Sequence, residues 1–308
     1  MKQLLIWSMA ISVFGTLYAL PHGPRKKDSS IDLDLRRSLG ADLLKSEHEE
    51  QKRNPIVKQN QGKYAIVIGA SSGIGRGLAL KLSEAGYIVG AVARRIQLLE
   101  TLEQEAKNPI FIKQVDIADH EAAAQQIQEL ITQMGGYIDV AIINAAIWPE
   151  LDYESKLVWQ AQQATIAVNV TGCTRLMTLF AQQFVDQQAG HLVTISSVDA
   201  LRGSAMAPMY AATKAFLSNY ADGLRYYFTQ NKLPITVTDV LPGYVEVPEF
   251  QLWDSAYWVT PYEKAVNQII QEAVIEKKKC IYVSHRWKII AALLLFAPDW
   301  LNDALGVF

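Results

Sequence analysis

Cysteine is nearly missing from this chain. Cys173 and Cys280 are the two among 308 residues, and a pair so far apart gives neither a disulfide framework nor the close spacing of a thiolate metal site. The simplest reading is two free thiols. Histidine is as thin: His22, His48, His120, His191 and His285 are scattered, with no His-x-x-x-His and no Cys-x-x-Cys, so no structural metal is expected. An excess of one charge is also lacking. The formal net charge is −2, which leaves no electrostatic case for nucleic acid. There is no internal repeat, and no tight hairpin turn joins the apolar runs, which argues against an antiparallel meander. What is abundant is apolar surface. Hydrophobic residues make up 50% of the chain, enough for a sizeable core.

The two ends are of different material. Gln3 to Leu20 is apolar and uncharged after Lys2. A cleaved signal peptide and a retained membrane anchor both fit such a run. Leu17 sits where a small residue is wanted for cleavage, and Arg25, Lys26 and Lys27 follow the run. The positive-inside rule then keeps the C-terminal side in the cytoplasm, and the anchor is the reading taken forward. Residues 21–62 are rich in Lys, Glu, Asp, Gln and Ser. They read as a polar tether with one short helix over Ile31 to Leu44. Residues 63–285 form one domain, and 286–308 an apolar tail.

Within that domain, strand-like and helix-like runs alternate. Short β-branched runs fall at Ala65 to Ile68, Ile88 to Ala93, Ile110 to Val115, Val140 to Ile143, His191 to Ile195, Ile235 to Val240 and Cys280 to Val283. Amphipathic runs separate them, at Gly75 to Ala85, Ile96 to Glu105, His120 to Met134, Lys156 to Gln188, Tyr210 to Gln230 and Pro261 to Lys277. Parallel strands joined by crossover helices satisfy this order. The fold class is α/β, a doubly wound, mostly parallel sheet of about seven strands of the Rossmann type, with the ligand at the carboxyl ends of the strands.

The first strand runs into Gly69-Ala70-Ser71-Ser72-Gly73-Ile74-Gly75 and then a helix. Strand, glycine turn and helix bring a helix N-terminus up to a pyrophosphate. One glycine makes the turn, one lets backbone approach phosphate oxygens, and one lets helix and strand pack closely. The spacing differs from Gly-x-Gly-x-x-Gly, so this turn is also readable as only a turn. The second strand ends in Arg94-Arg95 where an NAD-binding protein places an acid for the ribose 2′-hydroxyl. Two guanidinium groups suit a 2′-phosphate instead, and Arg76 is a further candidate. The cofactor expected is NADP(H). Asp116-Ile117 and Asn144-Ala145-Ala146 close the third and fourth strands, positions that ordinary turn chemistry also explains.

Tyr210 and Lys214 stand four apart, on one face of a helix. A phenol titrates near 10, too high for ready proton exchange at neutral pH. A nearby ammonium favours the phenolate, as does an oxidised nicotinamide, and makes the tyrosine a workable acid or base. After the preceding strand comes Ser196-Ser197, and Ser197 would bond the substrate oxygen.

These motifs together resemble the short-chain dehydrogenase/reductase family, from about Lys63 to about Val283. The resemblance implies that Gly69 to Gly75 is the cofactor turn, that Asp116 contacts adenine, and that Asn144-Ala145-Ala146 is similar to the family's Asn-Ala-Gly. It implies that Ser197, thirteen positions before Tyr210, is the catalytic serine. Lys214 also binds the nicotinamide ribose, and Asn169 holds a water against the lysine in a proton relay. Pro242-Gly243-Tyr244-Val245 resembles the turn that meets the carboxamide. Three positions depart from the pattern. Ile68 stands for a threonine, Ala146 for a glycine, and Val247 for the threonine that meets carboxamide and pyrophosphate.

Aromatic residues crowd Tyr244 to Tyr262, with Phe250, Leu252, Trp253, Tyr257 and Trp258. They read as a lid for an apolar, lipid-like carbonyl substrate, or as packing on the domain's own core. In the tail, Arg286, Trp287 and Lys288 precede an apolar run, and Pro298 and Trp300 follow it. That pattern suits an interfacial membrane segment; a helix over the cleft or at a dimer face also fits. The function expected is NADPH-dependent carbonyl reduction, or alcohol oxidation in reverse, at a membrane. The alternatives are an extended-branch epimerase or dehydratase, which the glycine spacing disfavours, and a catalytically idle NADP-binding sensor or scaffold, which Ser197, Tyr210 and Lys214 disfavour. By resemblance the protein pairs through its two long helices as a homodimer or homotetramer.

Overall fold

The computed structural model describes residues 62–148, 158–248 and 258–296. At its centre is β1 (Lys63–Ile68), buried on both faces after its first residue, as a β-branched run between two helix layers must be. The chain then alternates: α1 (Gly73–Glu84), β2 (Tyr87–Ala93), α2 (Ile96–Glu105), β3 (Ile110–Gln114), α3 (His120–Gln133) and β4 (Val140–Ile143). The second half follows with α4 (Trp159–Ile166), α5 (Cys173–Gln187), β5 (Gly190–Ile195), α6 (Pro208–Gln230) and β6 (Ile235–Pro242). Two short strands, β7 (Val245–Glu246) and β8 (Thr260–Pro261), pair with each other outside the main sheet. Then come α7 (Tyr262–Ile269), β9 (Cys280–Val283) and α8 (Trp287–Phe296).

The main sheet has seven strands in the order β3-β2-β1-β4-β5-β6-β9, and every pairing is parallel. The expected doubly wound sheet is present. Its order reverses between β1 and β4, so the carboxyl ends of those two strands open the crevice where such sheets bind ligands. Two apolar clusters sandwich the sheet. On one face Leu78 and Leu82 of α1, Leu99 and Leu102 of α2, and Val266 and Ile269 of α7 pack against it. On the other lie Ile127 and Leu130 of α3, Phe180 and Phe184 of α5, and Leu217 and Phe228 of α6.

Two expected helices are interrupted. The run starting near Lys156 resolves into α4 and α5 around a π turn, Ala167–Gly172. Such bulges are frequent at functional sites, and this one carries Asn169. The run ending near Lys277 continues past α7 as a second π turn, Ile270–Ile275. Among the described residues, Trp159–Gln187 is long and apolar enough to cross a membrane. Its Leu176, Met177, Phe180 and Phe184 are fully buried in the core, so it serves as a core helix.

The tail begins inside the domain. Trp287 of α8 is 1% exposed and lies flat on Gly243, where a Cβ would collide with the indole. Tyr244 and Trp258 meet it edge-on, with ring centroids 5.8 and 6.1 Å away. The basic-aromatic border expected to face a membrane is therefore consumed, at Trp287, by packing. A domain boundary at residue 285 cuts through this packed unit. Ile289 on the same helix is exposed. Residues 1–61 and 297–308, with the proposed anchor, the tether, Pro298 and Trp300, lie outside the described residues.

Candidate active site

The glycine turn is held by close backbone contacts. Gly69 has φ of +86°, a conformation other residues rarely adopt, and it passes within reach of the Ala145 backbone. Gly75 leaves no room for a Cβ between the Gly69 carbonyl and the Asn144 amide. Asn144 Nδ2 donates to the Gly69 oxygen at 2.9 Å, so its first job is to bolt the turn to the end of β4. Helix α1 opens at Ser72 with no side-chain cap and no acidic residue in its first turn. The N-terminal N–H groups and the helix dipole there suit an anion.

Beside the turn, a groove is lined by Gly69, Ser71, Ser72, Arg94, Arg95, Asp116, Ile117, Asn144 and Ala145. Arg95 Nη2 donates to Ser71 Oγ at 2.9 Å and Ser72 Oγ at 2.5 Å. Both arginines are exposed at the groove's edge. Arg76 is turned elsewhere: it pairs with Glu105 at 2.8 Å and donates to the Leu98 oxygen at 3.0 Å. The acid of α2 takes the guanidinium that the sequence offered to a phosphate. Asp116 Oδ1 accepts from the Ala118 N–H at 3.0 Å and shapes its own loop.

A second groove continues from the first, sharing Ser72, Asn144 and Ala146. It is lined by Gly73, Ile74, Ser197, Tyr210, Lys214, Pro242, Gly243, Val245 and Val247. The structure thus gathers the expected cofactor turn and the expected catalytic trio into one trough across the strand ends. Gly75 and Asn169 stand behind it as supports. The two serines are bonded differently. Ser196 Oγ donates into the sheet, to the Val240 oxygen at 3.0 Å, whereas Ser197, just past the end of β5, pairs through Oγ with Asp199; both serines line the trough.

Lys214 is buried, with Nζ donating to the Ile195 oxygen at 2.8 Å and lying 5.5 Å from the Tyr210 ring centroid. Burial lowers its pKa, against the pull of Cys173, Asp239 and Asp199. Asp239 of β6 accepts from Ser218 Oγ at 2.5 Å, and burial raises its pKa. Tyr210 departs from expectation. Burial pushes its pKa up, the Asp199 carboxylate adds to this, and the Ser197 hydrogen bond opposes it. In the protein as folded, desolvation outweighs any help from the ammonium.

Asn169 is fully buried, and its amide is engaged on three sides. Oδ1 accepts from Ile147 N at 2.8 Å, and Nδ2 donates to the Ile147 oxygen at 3.0 Å and to Thr213 Oγ1 at 3.1 Å. It clamps the loop after β4 to α6.

Four contributors escaped the sequence reading. Trp148 stacks on Tyr210, with centroids 4.5 Å apart and planes tilted by 46°. Thr213 is the far end of the Asn169 clamp. Asp199 and Asp239 are the acids around the lysine. The signal for Asp199 was present, an acid two residues past the serine. Two lid residues also changed place. Tyr262 donates to the Gly73 oxygen at 3.1 Å, bracing the cofactor turn, and Trp258 packs on Trp287. Phe250, Leu252, Trp253 and Tyr257 lie outside the described residues. Cys173 is a buried free thiol and Cys280 an exposed one. Among the described residues no cluster of metal-ligating side chains occurs.

With this geometry in place, the profile of the short chain dehydrogenases matches residues 63–257. The chain belongs to that family. It is an oxidoreductase of the short-chain type, and its relatives agree. An uncharacterised oxidoreductase of Myxococcus xanthus is 35% identical over 190 residues, covering 60% of this chain and 72% of the relative. One from Mycobacterium tuberculosis is 34% identical over 187 residues, covering 59% and 72%. Solved structures share the fold. A Burkholderia cenocepacia short chain dehydrogenase in complex with NADP is 21% identical at a TM-score of 0.65, covering 79% of this chain and 97% of that one. The bulky-bulky ketone specific alcohol dehydrogenase of Comamonas testosteroni is 22% identical at 0.62, covering 80% and 94%.

Proposed function

We propose that this short-chain oxidoreductase is an NADPH-dependent carbonyl reductase acting on an apolar, lipid-like carbonyl, with alcohol oxidation as the reverse reaction. The observation that carries the reading is the trough itself, which joins an anion-ready helix start to Ser197, Tyr210 and Lys214. The uncapped start of α1, with Gly69 and Gly75 leaving no bulk in the turn, fits a pyrophosphate. Arg94 and Arg95 at the groove edge favour the 2′-phosphate of NADP(H), and the NADP complex of the Burkholderia relative supports that choice. Asp116, Ile117, Asn144 and Ala145 would border the adenine and ribose, and Pro242, Gly243 and Val245 the nicotinamide end.

When bound, the nicotinamide supplies the hydride at C4. The chain's own residues do the rest. Tyr210 O–H gives its proton to the oxygen of the reduced carbonyl. Ser197 Oγ–H bonds the same oxygen and shares its developing charge. Lys214, held against the Ile195 carbonyl, presents a cation that favours the tyrosinate left behind. Asn169 fixes the loop bearing Trp148 relative to α6, which sets the tyrosine in place for the relay. Trp148, Ile74 and Val247 give the trough apolar walls suited to a hydrocarbon substrate.

Attachment to a membrane remains part of the proposal. It rests on the uncharged run from Gln3 to Leu20 and on the exposed Ile289 of α8, with the catalytic domain cytoplasmic. Pairing of two chains is proposed through the long helices, where Phe216, Tyr226 and Tyr227 of α6 are exposed. The test is NADPH oxidation by the chain in detergent against carbonyls graded from short to long. Turnover rising with chain length supports the proposal. Turnover confined to short, polar carbonyls would contradict the lipid-like substrate.

A further inference from the structure

Two residues beyond the serine stands a carboxylate with no part in the reaction just described. Asp199 lies in the single 3₁₀ turn Val198–Leu201 and is half-buried. Its N–H donates to Ser197 Oγ at 3.1 Å, and Ser197 Oγ–H points back at Asp199 Oδ2, 3.3 Å away. A hydroxyl has one hydrogen to give. In this arrangement Ser197 gives it to the aspartate, while its role in reduction requires giving it to the substrate oxygen.

We propose that Asp199 is a positioning residue that sets where the Ser197 hydroxyl points. As a carboxylate it takes the serine's hydrogen. As a carboxylic acid it donates its own hydrogen to Ser197 Oγ, which frees Ser197 Oγ–H to donate to the carbonyl oxygen. The switch is the uptake of one proton from solvent at the Asp199 carboxylate, released again to solvent as pH rises, with no other bond made or broken, and the proton delivered in reduction is still that of Tyr210. The inference rests on the reductase reading above.

The surroundings make the neutral acid accessible. Burial raises the Asp199 pKa, opposed by the Ser197 hydrogen bond and the Lys214 charge. From α6 it is faced by Tyr210 and Lys214. Asp239 of β6 is bonded to Ser218 and interacts with Lys214. Helix α8 turns the apolar Trp287 and Ile290 toward the turn, while its Lys288 and the preceding Arg286 are exposed.

The sign follows. For carbonyl reduction, kcat/KM should step down by about tenfold as pH rises through the Asp199 titration, since a donor to the developing oxyanion is withdrawn. Asp199→Asn should remove that step, with NADPH affinity unchanged as the check on folding, and Asp199→Ala serves if the first variant misfolds. A purely structural role would lower the rate equally at every pH and leave the step in place, which overturns the proposal. A readout free of turnover is the infrared band of a protonated carboxyl. It should titrate at the midpoint of the step and vanish in Asp199→Asn. A band unaffected by the substitution also overturns the proposal. A band that behaves as described with no carbonyl reduced at any pH contradicts the reductase reading and supports the coupling of Asp199 to the serine.

Discussion

The two halves of the trough are built from different materials. Around β1 and α1 the working atoms are backbone, two tightly packed glycines and polar side chains at the surface. Around β5, β6 and α6 they are titratable groups: the buried Lys214 and the half-buried Tyr210, with the half-buried Asp199 and the buried Asp239 near the lysine. The first half is a matter of shape and helix-end electrostatics. The second is a matter of desolvation, which moves every one of those four groups away from its ordinary titration, the acids and the phenol upward and the lysine downward. A cofactor turn can therefore be assembled from local sequence, whereas a tuned tyrosine depends on which charges the fold buries beside it.

The largest effect that would sharpen this contrast is at Lys214. Lys214→Met should lower kcat/KM for reduction by on the order of 10³-fold, within the range of acid–base catalysis. It should also destabilise the fold by about 1–3 kcal/mol, because the buried Ile195 carbonyl loses its donor. Steady-state rates and urea unfolding read the two effects. A rate loss with no change in stability would break the picture of a lysine held in place by the fold.

On the shape side, Gly75→Ala places a methyl against the Gly69 carbonyl and the Asn144 amide. The expected cost is about 1–3 kcal/mol of overpacking, with NADPH affinity down by about 100-fold and kcat at saturation little changed. Quenching of tryptophan fluorescence on NADPH addition measures it. An equal fall in kcat would erase the distinction between the halves.

His191 tests burial without catalysis. Its Nε2 meets Thr238 Oγ1 at 2.9 Å, Nδ1 is buried without a partner, and burial pushes its pKa from 6.5 down to about 3. The unfolded chain takes up a proton in that window and the folded one does not, so this contribution is complete above pH 6.5 and lost as pH falls toward 3. The slope should reach up to about 1.4 kcal/mol per pH unit. His191→Leu should flatten this limb in urea midpoints measured across the window.

The smallest effect is at the groove edge. Arg94→Ala with Arg95→Ala should weaken NADPH by about tenfold and leave NADH nearly unchanged, since exposed guanidinium–phosphate contacts are partly screened. Equal weakening of both cofactors would place the arginines in general binding and withdraw the 2′-phosphate assignment.

Much of this was legible in the residues. The period of the apolar runs located all seven strands of the main sheet, because buried parallel strands are short and β-branched. That the glycine turn, Ser197, Tyr210 and Lys214 would line one trough at the strand ends was legible because their spacing is local or follows one helix face, while the preference for Ser197 over Ser196 came from the family's interval. Arg76 was misassigned because its partner, Glu105, lies a full helix later, and side-chain competition across 29 positions leaves no local mark. Trp287 and Tyr262 were misplaced for the same reason: an aromatic residue reads alike whether it faces a lipid, a substrate or Gly243. The upward shift of Tyr210 was not legible, because it comes from burial and from an acid on another turn.

The most direct test of the account is single-turnover NADPH oxidation by the chain and by Tyr210→Phe, both saturated with NADPH and mixed with the same long-chain carbonyl. With Tyr210 as the proton donor, NADPH binding should be equal and the rate at least about 100-fold lower in the variant. Equal rates in the two proteins would remove Tyr210 as the proton donor and contradict the site as described.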